Sequence, residues 1–358
     1  MNYRLLGRKT GLPVSEFALG TAVFGQTWGY GADAATAERI INIYAEQGGN
    51  LIDTADEYQL GTSEEIVGKA IATKRNDLIL SSKYSRGASQ GLGLGSLGNH
   101  RKNMVQAVEA SLKRLATDRI DLYFVHMDDQ FTPMEEIVRG LDDLVRSGKI
   151  LYGGISNSPA WRIAAGTTLA DARGWAGISA IQVEYSLLQR TTERELLPMA
   201  DALGLGVLAY SPLGGGLLTG KYRKGEEGRA TALKGSIPYE GTECADAILD
   251  QLFKVADQRG LSPSHVALAW LKAKGVTPLL GPRTVEQLAD NLKAIDVELT
   301  VSEVAQLDQV SAIAPGYPHE LTLAEQQRQV LTGGNCTRYE HRSLRWVDQA
   351  IEENAIFS

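Results

Sequence analysis

The sequence predicts a (β/α)8 TIM barrel with an N-terminal β-hairpin and a C-terminal helical extension. Short apolar runs alternate with segments of helical periodicity, and eight such units follow one another along the chain. The chain has 358 residues, a length that a barrel of this kind commonly reaches as one domain. A doubly wound open sheet is the competing fold, but no G-x-G-x-x-G motif follows the first strand.

The predicted strands are short and apolar without polar alternation, as expected for parallel strands that are buried on both faces. They lie at residues 17–20, 51–52, 78–83, 120–125, 150–155, 180–183, 206–210 and 276–280. The predicted helices show apolar residues at helical spacing, several with a glycine or proline at one end. They lie at residues 34–47, 62–71, 102–115, 133–146, 192–203, 245–259, 265–273 and 285–295.

Three further segments flank or interrupt this series. Residues 4–18 contain glycine and proline between short apolar runs, which predicts the hairpin that precedes the barrel. Residues 87–98 form a glycine- and serine-rich loop that is long enough to act as a lid. The barrel domain is expected at residues 1–314. Residues 315–358 form a polar extension that either packs on the barrel or flanks the pocket.

Composition excludes several classes of protein. The chain is 43% hydrophobic and 22% charged, as is ordinary for a globular protein, and its net charge of −7 disfavours nucleic acid as a partner. No apolar stretch is long enough for a membrane span, and residues 1–10 do not resemble a signal peptide. Cys244 and Cys336 are far apart and match no metal-ligand spacing. We therefore expect a cytoplasmic protein without a metal site.

Polar residues stand at the carboxyl ends of the predicted strands, where the active sites of such barrels are built. A polar residue at one strand end is often only the start of a solvated loop, but residues from several strands converge on one rim. These residues are Asp53, Lys83, His126, Ser156, Asn157, Gln182 and Tyr210, with Arg283 just after the last strand.

Four side chains on this rim suit proton transfer to a carbonyl oxygen. The phenol of Tyr58 has an ordinary pKa near 10, and a neighbouring Lys83 ammonium lowers it, while Asp53 fixes the position and charge of the lysine. His126 can orient the substrate oxygen or share the proton. The alternative for Asp53 and Tyr58 is a capped loop without chemistry. No nucleophile elbow, metal cluster or pair of facing carboxylates points to hydrolysis.

Four stretches resemble the aldo-keto reductase superfamily, and the resemblance covers roughly residues 3–310. They are residues 50–58, the strand end at Lys83, residues 114–126 and residues 210–220. The chain is most similar to the branch that contains bacterial aldehyde and sugar reductases and the potassium-channel β subunits. This resemblance implies that Asp53, Tyr58, Lys83 and His126 form a catalytic tetrad, with Tyr58 as the general acid.

The resemblance also implies a nicotinamide dinucleotide cofactor. Many relatives have a lysine just after the last strand that grips the 2′-phosphate, whereas this chain has Gly281, Pro282 and Arg283. Arg283 can supply the phosphate contact, so NADP(H) is favoured and NAD(H) stays open. The implied cofactor residues are Gly20, Thr21, Asp53, Ser156, Asn157, Gln182, Tyr210, Ser211, Leu213, Gly215, Leu217, Lys221, Gly281, Arg283, Gln287 and Asn291.

Aromatic and apolar residues near the same rim predict the substrate pocket. Phe24, Trp28, Tyr84 and Met127 are the candidates, and loop packing is the alternative for each. The predicted reaction is reduction of an aldehyde or ketone, or oxidation of an alcohol or sugar in reverse, on a small-molecule substrate. The rival is a cofactor-sensing accessory subunit of the channel β-subunit type with slow turnover. A homo-oligomer stays open.

Overall fold

Eight parallel strands close into a barrel in the computed structural model, which describes residues 1–89, 91–228, 242–335 and residue 338. Strands β3 to β10 pair in chain order, and β10 pairs with β3 to complete the ring. This architecture confirms the predicted barrel and the hairpin before it. The strands are β1 (Tyr3–Leu5), β2 (Pro13–Ser15), β3 (Ala18–Gly20), β4 (Leu51–Asp53), β5 (Ile79–Tyr84), β6 (Ile120–Val125), β7 (Ile150–Ser156), β8 (Ile178–Glu184), β9 (Gly206–Tyr210) and β10 (Thr277–Leu280).

The inside of the barrel is filled by apolar side chains from almost every strand, and the hairpin closes its amino end. Leu6 and Val14 of the hairpin segment are buried in the same cluster as Leu51, Leu122 and other inward-facing residues. The fit is close at Gly206, where a Cβ atom would lie 2.7 Å from Leu6 Cδ1. The barrel is therefore a packed core at this end, and its open face lies at the carboxyl ends of the strands.

Helices surround the barrel, and polar side chains define where several of them begin. Asp33 accepts a hydrogen bond from Thr36 N at the first helix, and Thr300 forms a capping box with Glu303. The longer helices span Ala34–Glu46, Thr62–Ile71, Arg101–Arg114, Met134–Arg146, Ala160–Arg173, Leu196–Leu203, Glu243–Arg259, Pro263–Ala273, Val285–Leu292 and Val301–Val310.

Two of these longer helices were not predicted from the sequence. The helix Ala160–Arg173 buries Ile163, Gly166, Thr167 and Ala170, a face of mostly small side chains that gives little hydrophobic periodicity. A Cβ atom at Gly166 would lie within 3 Å of the Met134 side chain, so contact with the preceding helix secures its place. The helix Val301–Val310 could have been found from its capping box.

A buried ionic cluster joins the helix Val301–Val310 to the barrel. Asp308 accepts hydrogen bonds from Lys274 Nζ and from Trp270 Nε1, each at 2.9 Å. Arg190 Nη1 donates to the Asp308 carbonyl oxygen at 3.2 Å. Because removal of one partner would leave an uncompensated buried charge, this cluster ties the end of the barrel domain firmly in place.

The segment after this helix crosses toward the loop that follows β8. Arg194 donates two hydrogen bonds to the Ala314 carbonyl oxygen, and His319 Nε2 lies 2.8 Å from Glu195 Oε1. Two short helices, His319–Thr322 and Glu325–Leu331, follow. Cys336 and most of the later part of the predicted extension lie outside the described residues. No helix in the described ranges has the length and apolar character needed to cross a bilayer.

Candidate active site

A cavity of about 640 Å³ opens at the carboxyl ends of the barrel strands. Its floor includes Gly20, Asp53, Ser156 and Tyr210, which are the last residues of β3, β4, β7 and β9. The structure thus brings strand ends that are far apart in sequence to one site. The predicted residues that line this cavity are Gly20, Trp28, Asp53, Tyr58, His126, Met127, Ser156, Asn157, Gln182, Tyr210, Ser211, Leu213, Gly215, Lys221, Gly281, Arg283, Gln287 and Asn291.

Four predicted contact residues lie behind the cavity wall instead. Phe24 is buried in the core, and Tyr84 stacks on Tyr123, with 5.5 Å between ring centroids. This corrects the expectation that Phe24 and Tyr84 line a substrate pocket, because core packing occupies both rings. Leu217 is also buried among apolar residues, and Thr21 is buried with its hydroxyl donating to the Asp53 carbonyl oxygen at 3.0 Å.

Asp53, Lys83 and Tyr58 form a continuous hydrogen-bonded chain that ends in the cavity. Lys83 Nζ lies 2.6 Å from Asp53 Oδ2 and 3.1 Å from Tyr58 Oη, and it also donates to the Thr54 carbonyl oxygen. Lys83 is completely buried, so its contact with solvent is replaced by these three partners. The ammonium therefore faces the phenol from below the cavity floor.

Residues from two other strands fix the Asp53 carboxylate at the start of this chain. Ser81 Oγ and Gln182 Nε2 each donate to Asp53 Oδ1 at 2.9 Å. Ser81 is paired with Asp53 in the register of β4 and β5, whereas Gln182 reaches across the barrel from β8. Gln182 thus contacts the carboxylate as well as the cavity.

Burial and charge set the protonation states of the three central groups. Burial raises the pKa of Tyr58 above its ordinary value, while the Lys83 ammonium opposes this rise. Burial also disfavours the Lys83 ammonium, but Asp53 and Tyr58 outweigh it, so the pKa of Lys83 is raised. Burial, reinforced by Lys83 and Arg86, lowers the pKa of His126 to about 2. At neutral pH the site holds a phenol, an ammonium and a neutral imidazole.

His126 and Tyr58 face each other across the same part of the cavity. Their rings lie edge to face, with centroids 5.7 Å apart and an interplanar angle of 82°. His126 Nδ1 is buried without a hydrogen-bond partner among the described residues. The Tyr58 phenol therefore lies beside a neutral imidazole, which can act as a hydrogen-bond donor or acceptor.

A second polar cluster lies at the ends of β7 and β9. Tyr210 Oη donates to Asn157 Oδ1 at 2.8 Å, and Asn157 Nδ2 donates to the His126 carbonyl oxygen at 2.9 Å. Asn157 and Ser211 have positive φ angles of 49° and 52°; asparagine tolerates this backbone conformation, whereas it is uncommon for a serine and costs energy. Such strain at a cavity residue is typical of a functional site.

The far end of the cavity carries two cations. Burial and the nearby Arg283 lower the pKa of Lys221. The guanidinium of Arg283 lies 4.7 Å from the centroid of the Tyr30 ring, and its buried Nε has no hydrogen-bond partner in the described part of the chain. Two like charges at one end of a cavity, with the buried Arg283 Nε still unpaired among the described residues, form a ready site for phosphate.

Sequence reasoning missed three cavity residues of consequence. Tyr30 holds Arg283, and the Glu57 carboxylate pairs with Arg86 Nε at 2.6 Å on the rim beside Tyr58. Tyr30 and Glu57 stand at no strand end, so the rule that located the other candidates did not select them, although Glu57 is adjacent to Tyr58. Arg86 follows the end of β5 by two residues and could have been selected in the same way as Arg283.

Asp128 and Asp129, which follow His126, have structural partners. Arg162 Nε lies 2.6 Å from Asp128 Oδ2, to which Ser158 Oγ also donates. The Asp129 carboxylate accepts four hydrogen bonds, three from its own loop and one from Asn99 N. Neither carboxylate is among the cavity-lining residues. No group of three or more His, Cys, Asp or Glu side chains with metal-binding geometry occurs in the described ranges.

Comparison with known proteins agrees with this geometry. The model of the Aldo/keto reductase family matches residues 16–312. The chain belongs to this family. It is 35% identical to norsolorinic acid reductase of Aspergillus flavus, over 88% of this chain and 82% of the relative. It is 38% identical to an uncharacterised oxidoreductase of Bacillus subtilis, over 87% and 96% of the two chains. It is also 32% identical to a putative aryl-alcohol dehydrogenase of Saccharomyces cerevisiae, over 89% of each chain.

Proposed function

We propose that this aldo/keto reductase reduces aldehydes and ketones to alcohols, with Tyr58 as the general acid. When bound, the nicotinamide cofactor supplies a hydride to the carbonyl carbon. The Tyr58 hydroxyl gives its proton to the carbonyl oxygen, and the resulting phenolate is stabilised by the Lys83 ammonium at 3.1 Å. In the oxidative direction the phenolate takes the alcohol proton back.

The single observation that carries this proposal is the buried chain from Asp53 through Lys83 to Tyr58. Its ammonium is fixed by Asp53, so it can stabilise negative charge on Tyr58 without reorganising during the reaction. His126 is neutral, with a pKa of about 2, and therefore positions the carbonyl oxygen instead of competing as the acid.

The cavity residues also fit a nicotinamide dinucleotide with an adenosine phosphate. Ser156, Asn157 and Gln182 present amide and hydroxyl groups that suit the carboxamide, and Tyr210 offers a ring for stacking. The loop after β9 contains Gly215 with a φ of 65°, which lets the backbone approach a pyrophosphate. Arg283 and Lys221 favour NADP(H) over NAD(H), since guanidinium and ammonium groups both pair with phosphate.

Aromatic carbonyl compounds are the substrate class that we propose. Trp28 lies edge to face with Tyr58 at 6.5 Å, and Met127 lines the same end of the cavity. A flat aromatic substrate can pack on these side chains while its carbonyl reaches Tyr58. The names of two relatives, norsolorinic acid reductase and aryl-alcohol dehydrogenase, support this choice.

The proposed reaction is tested by following the loss of NADPH absorbance with aromatic aldehydes, aliphatic aldehydes and reducing sugars. We expect turnover of aromatic aldehydes by the wild-type chain. We expect Tyr58→Phe to bind NADPH normally but to lose at least about 100-fold in kcat, because only the acidic hydroxyl is removed. A Tyr58→Phe chain with the wild-type rate contradicts the assignment. Tight retention of NADPH without turnover in either direction points instead to a cofactor-sensing subunit.

We also propose residues 1–314 as the catalytic barrel domain and residues 315–358 as an extension attached near the loop after β8. The pair of His319 and Glu195 supports this division, because it attaches the start of the extension to the loop between β8 and the helix Leu196–Leu203. Since both groups are at least partly exposed, this pair contributes little to the stability of the barrel core.

A further inference from the structure

A loop beside the cavity connects β3 to the helix Ala34–Glu46, and we call residues 22–31 the 22–31 loop. Backbone hydrogen bonds close its neck: Ala32 N donates to the Val23 carbonyl oxygen at 2.7 Å, and Gly25 N donates to the Ala32 carbonyl oxygen at 2.8 Å. Trp28 and Tyr30 lie beyond this neck and line the cavity. Their positions therefore depend on what holds the rest of the loop.

The side chain of Gln59 fills the centre of this loop. Its Oε1 accepts a hydrogen bond from Trp28 N at 2.9 Å, and its Nε2 donates to the carbonyl oxygens of Ala22 and Tyr30 at 3.3 Å and 3.2 Å. Gln59 is completely buried. One carboxamide thus uses its acceptor and both donors on three backbone groups that are well separated along the loop.

The backbone at this position is unusual. Gln59 has a φ of 52°, which is uncommon for a residue other than glycine or asparagine, and Leu60 has a φ of 55°. Packing is also tight, since a Cβ atom at Gly25 would lie 3.0 Å from Gln59 Cβ and Cγ. A glutamine in a costly backbone conformation indicates that its side-chain contacts outweigh that cost.

The loop held by Gln59 contacts both ends of the cavity. At one end the Trp28 ring meets the Tyr58 ring edge to face, with centroids 6.5 Å apart. At the other end the Tyr30 ring lies 4.7 Å from the guanidinium carbon of Arg283, the residue proposed for the adenosine phosphate. Movement of this one loop changes the substrate end and the cofactor end together.

We infer that Gln59 is a positioning residue that holds the 22–31 loop and so sets the affinity for the aromatic carbonyl and for NADPH together. This inference rests on the proposed function, because it assigns Trp28 to the carbonyl substrate and Arg283 to the cofactor. Gln59 itself lies outside the cavity lining and acts through Trp28 and Tyr30. Its removal leaves the proton donor and its ammonium in place.

The decisive variant is Gln59→Asn. Asparagine keeps the carboxamide and tolerates a positive φ, but it is one methylene too short to reach the three backbone groups. We expect the KM for an aromatic aldehyde and the Kd for NADPH each to rise about tenfold, as expected for the loss of one or two net hydrogen bonds. We expect kcat to stay within about threefold of wild type. Gln26→Asn is the matched control, because Gln26 is exposed in the same loop.

A purely structural role would lower the melting temperature or the fraction of active protein and leave KM and Kd unchanged, which would overturn the inference. Gln59→Glu is a second variant of the same length, which keeps the acceptor for Trp28 N and loses both donors. We expect it to raise the same two constants. The Kd for NADPH is measured by fluorescence without turnover, so it tests Gln59 even if Tyr58→Phe refutes the proposed reaction.

Discussion

Replacement of Lys83 by methionine tests how much the buried ammonium contributes to catalysis by stabilising the Tyr58 phenolate. An ammonium 3.1 Å from a phenolate oxygen contributes about 5 kcal/mol at an effective dielectric constant of about 20. If half of the phenolate charge has developed in the transition state, about 2.7 kcal/mol is lost, and kcat for reduction falls roughly 100-fold. NADPH binding stays close to wild type, because Lys83 is buried beneath the cavity floor.

The pH dependence of the reverse reaction provides a second measure of the same interaction. Alcohol oxidation requires the phenolate of Tyr58 as the base. Lys83 opposes the rise that burial causes in the pKa of Tyr58, so Lys83→Met raises this pKa further. In a plot of the alcohol oxidation rate against pH, we therefore expect the rising part of the curve to lie at higher pH for Lys83→Met than for the wild type. No limb that belongs to His126 is expected near pH 6.5, because its pKa is lowered to about 2.

A double variant separates lost catalysis from lost stability. Lys83→Met alone leaves the Asp53 carboxylate buried without its cation, which costs about 3–5 kcal/mol of folding free energy. The double variant Asp53→Asn with Lys83→Met removes both charges. We expect its melting temperature to be closer to that of wild type than that of Lys83→Met, whereas its activity stays as low as that of Lys83→Met. A folded Lys83→Met chain that binds NADPH and reduces aldehydes at the wild-type kcat would refute this reasoning.

Two further variants test the cofactor end and the division of the chain. We expect Arg283→Ala to raise the Kd for NADPH about 10- to 100-fold and the Kd for NADH less than about threefold, because only the contact with the extra phosphate is lost. Equal losses for both cofactors, measured by fluorescence titration beside Lys293→Ala as the control, would contradict this assignment. A chain that ends at Ala314 should melt within about 4 °C of wild type, since His319 and Glu195 form an ion pair that is at least partly exposed. A larger fall in the melting temperature, measured by calorimetry, would contradict this division, because it would mean that the extension stabilises the barrel.

The stretch 114–126, one of those that resemble the family, also contains residues whose side chains stabilise the fold. Arg114 donates to the buried Glu64 carboxylate at 2.7 Å, and Asp121 accepts hydrogen bonds from Leu80 N and Arg75, each at 2.7 Å. These contacts join helices and strands on the outside of the barrel. A sequence motif in this chain can therefore contain residues that pack the fold as well as residues that line the site. The interatomic distances in the structure show which of these each residue does.

Local sequence patterns predicted the fold and most residues of the candidate site. Apolar strands followed by helical periodicity predicted the barrel, and the rule that active sites lie at the carboxyl ends of strands selected Asp53, Lys83 and His126. The structure confirms the barrel and places these side chains around one cavity, with Lys83 beneath its floor. Their catalytic roles stay predictions that the variants above test.

Tertiary structure alone decided which rings face the cavity and what supports the site. Phe24 and Trp28 lie four positions apart in one loop, yet packing buries the first and leaves the second in the cavity wall. The contacts of Gln59 with the 22–31 loop and of Tyr30 with Arg283 join residues from separate parts of the chain. Periodicity and residue type are local properties of a sequence, whereas such contacts exist only after barrel closure brings distant segments together.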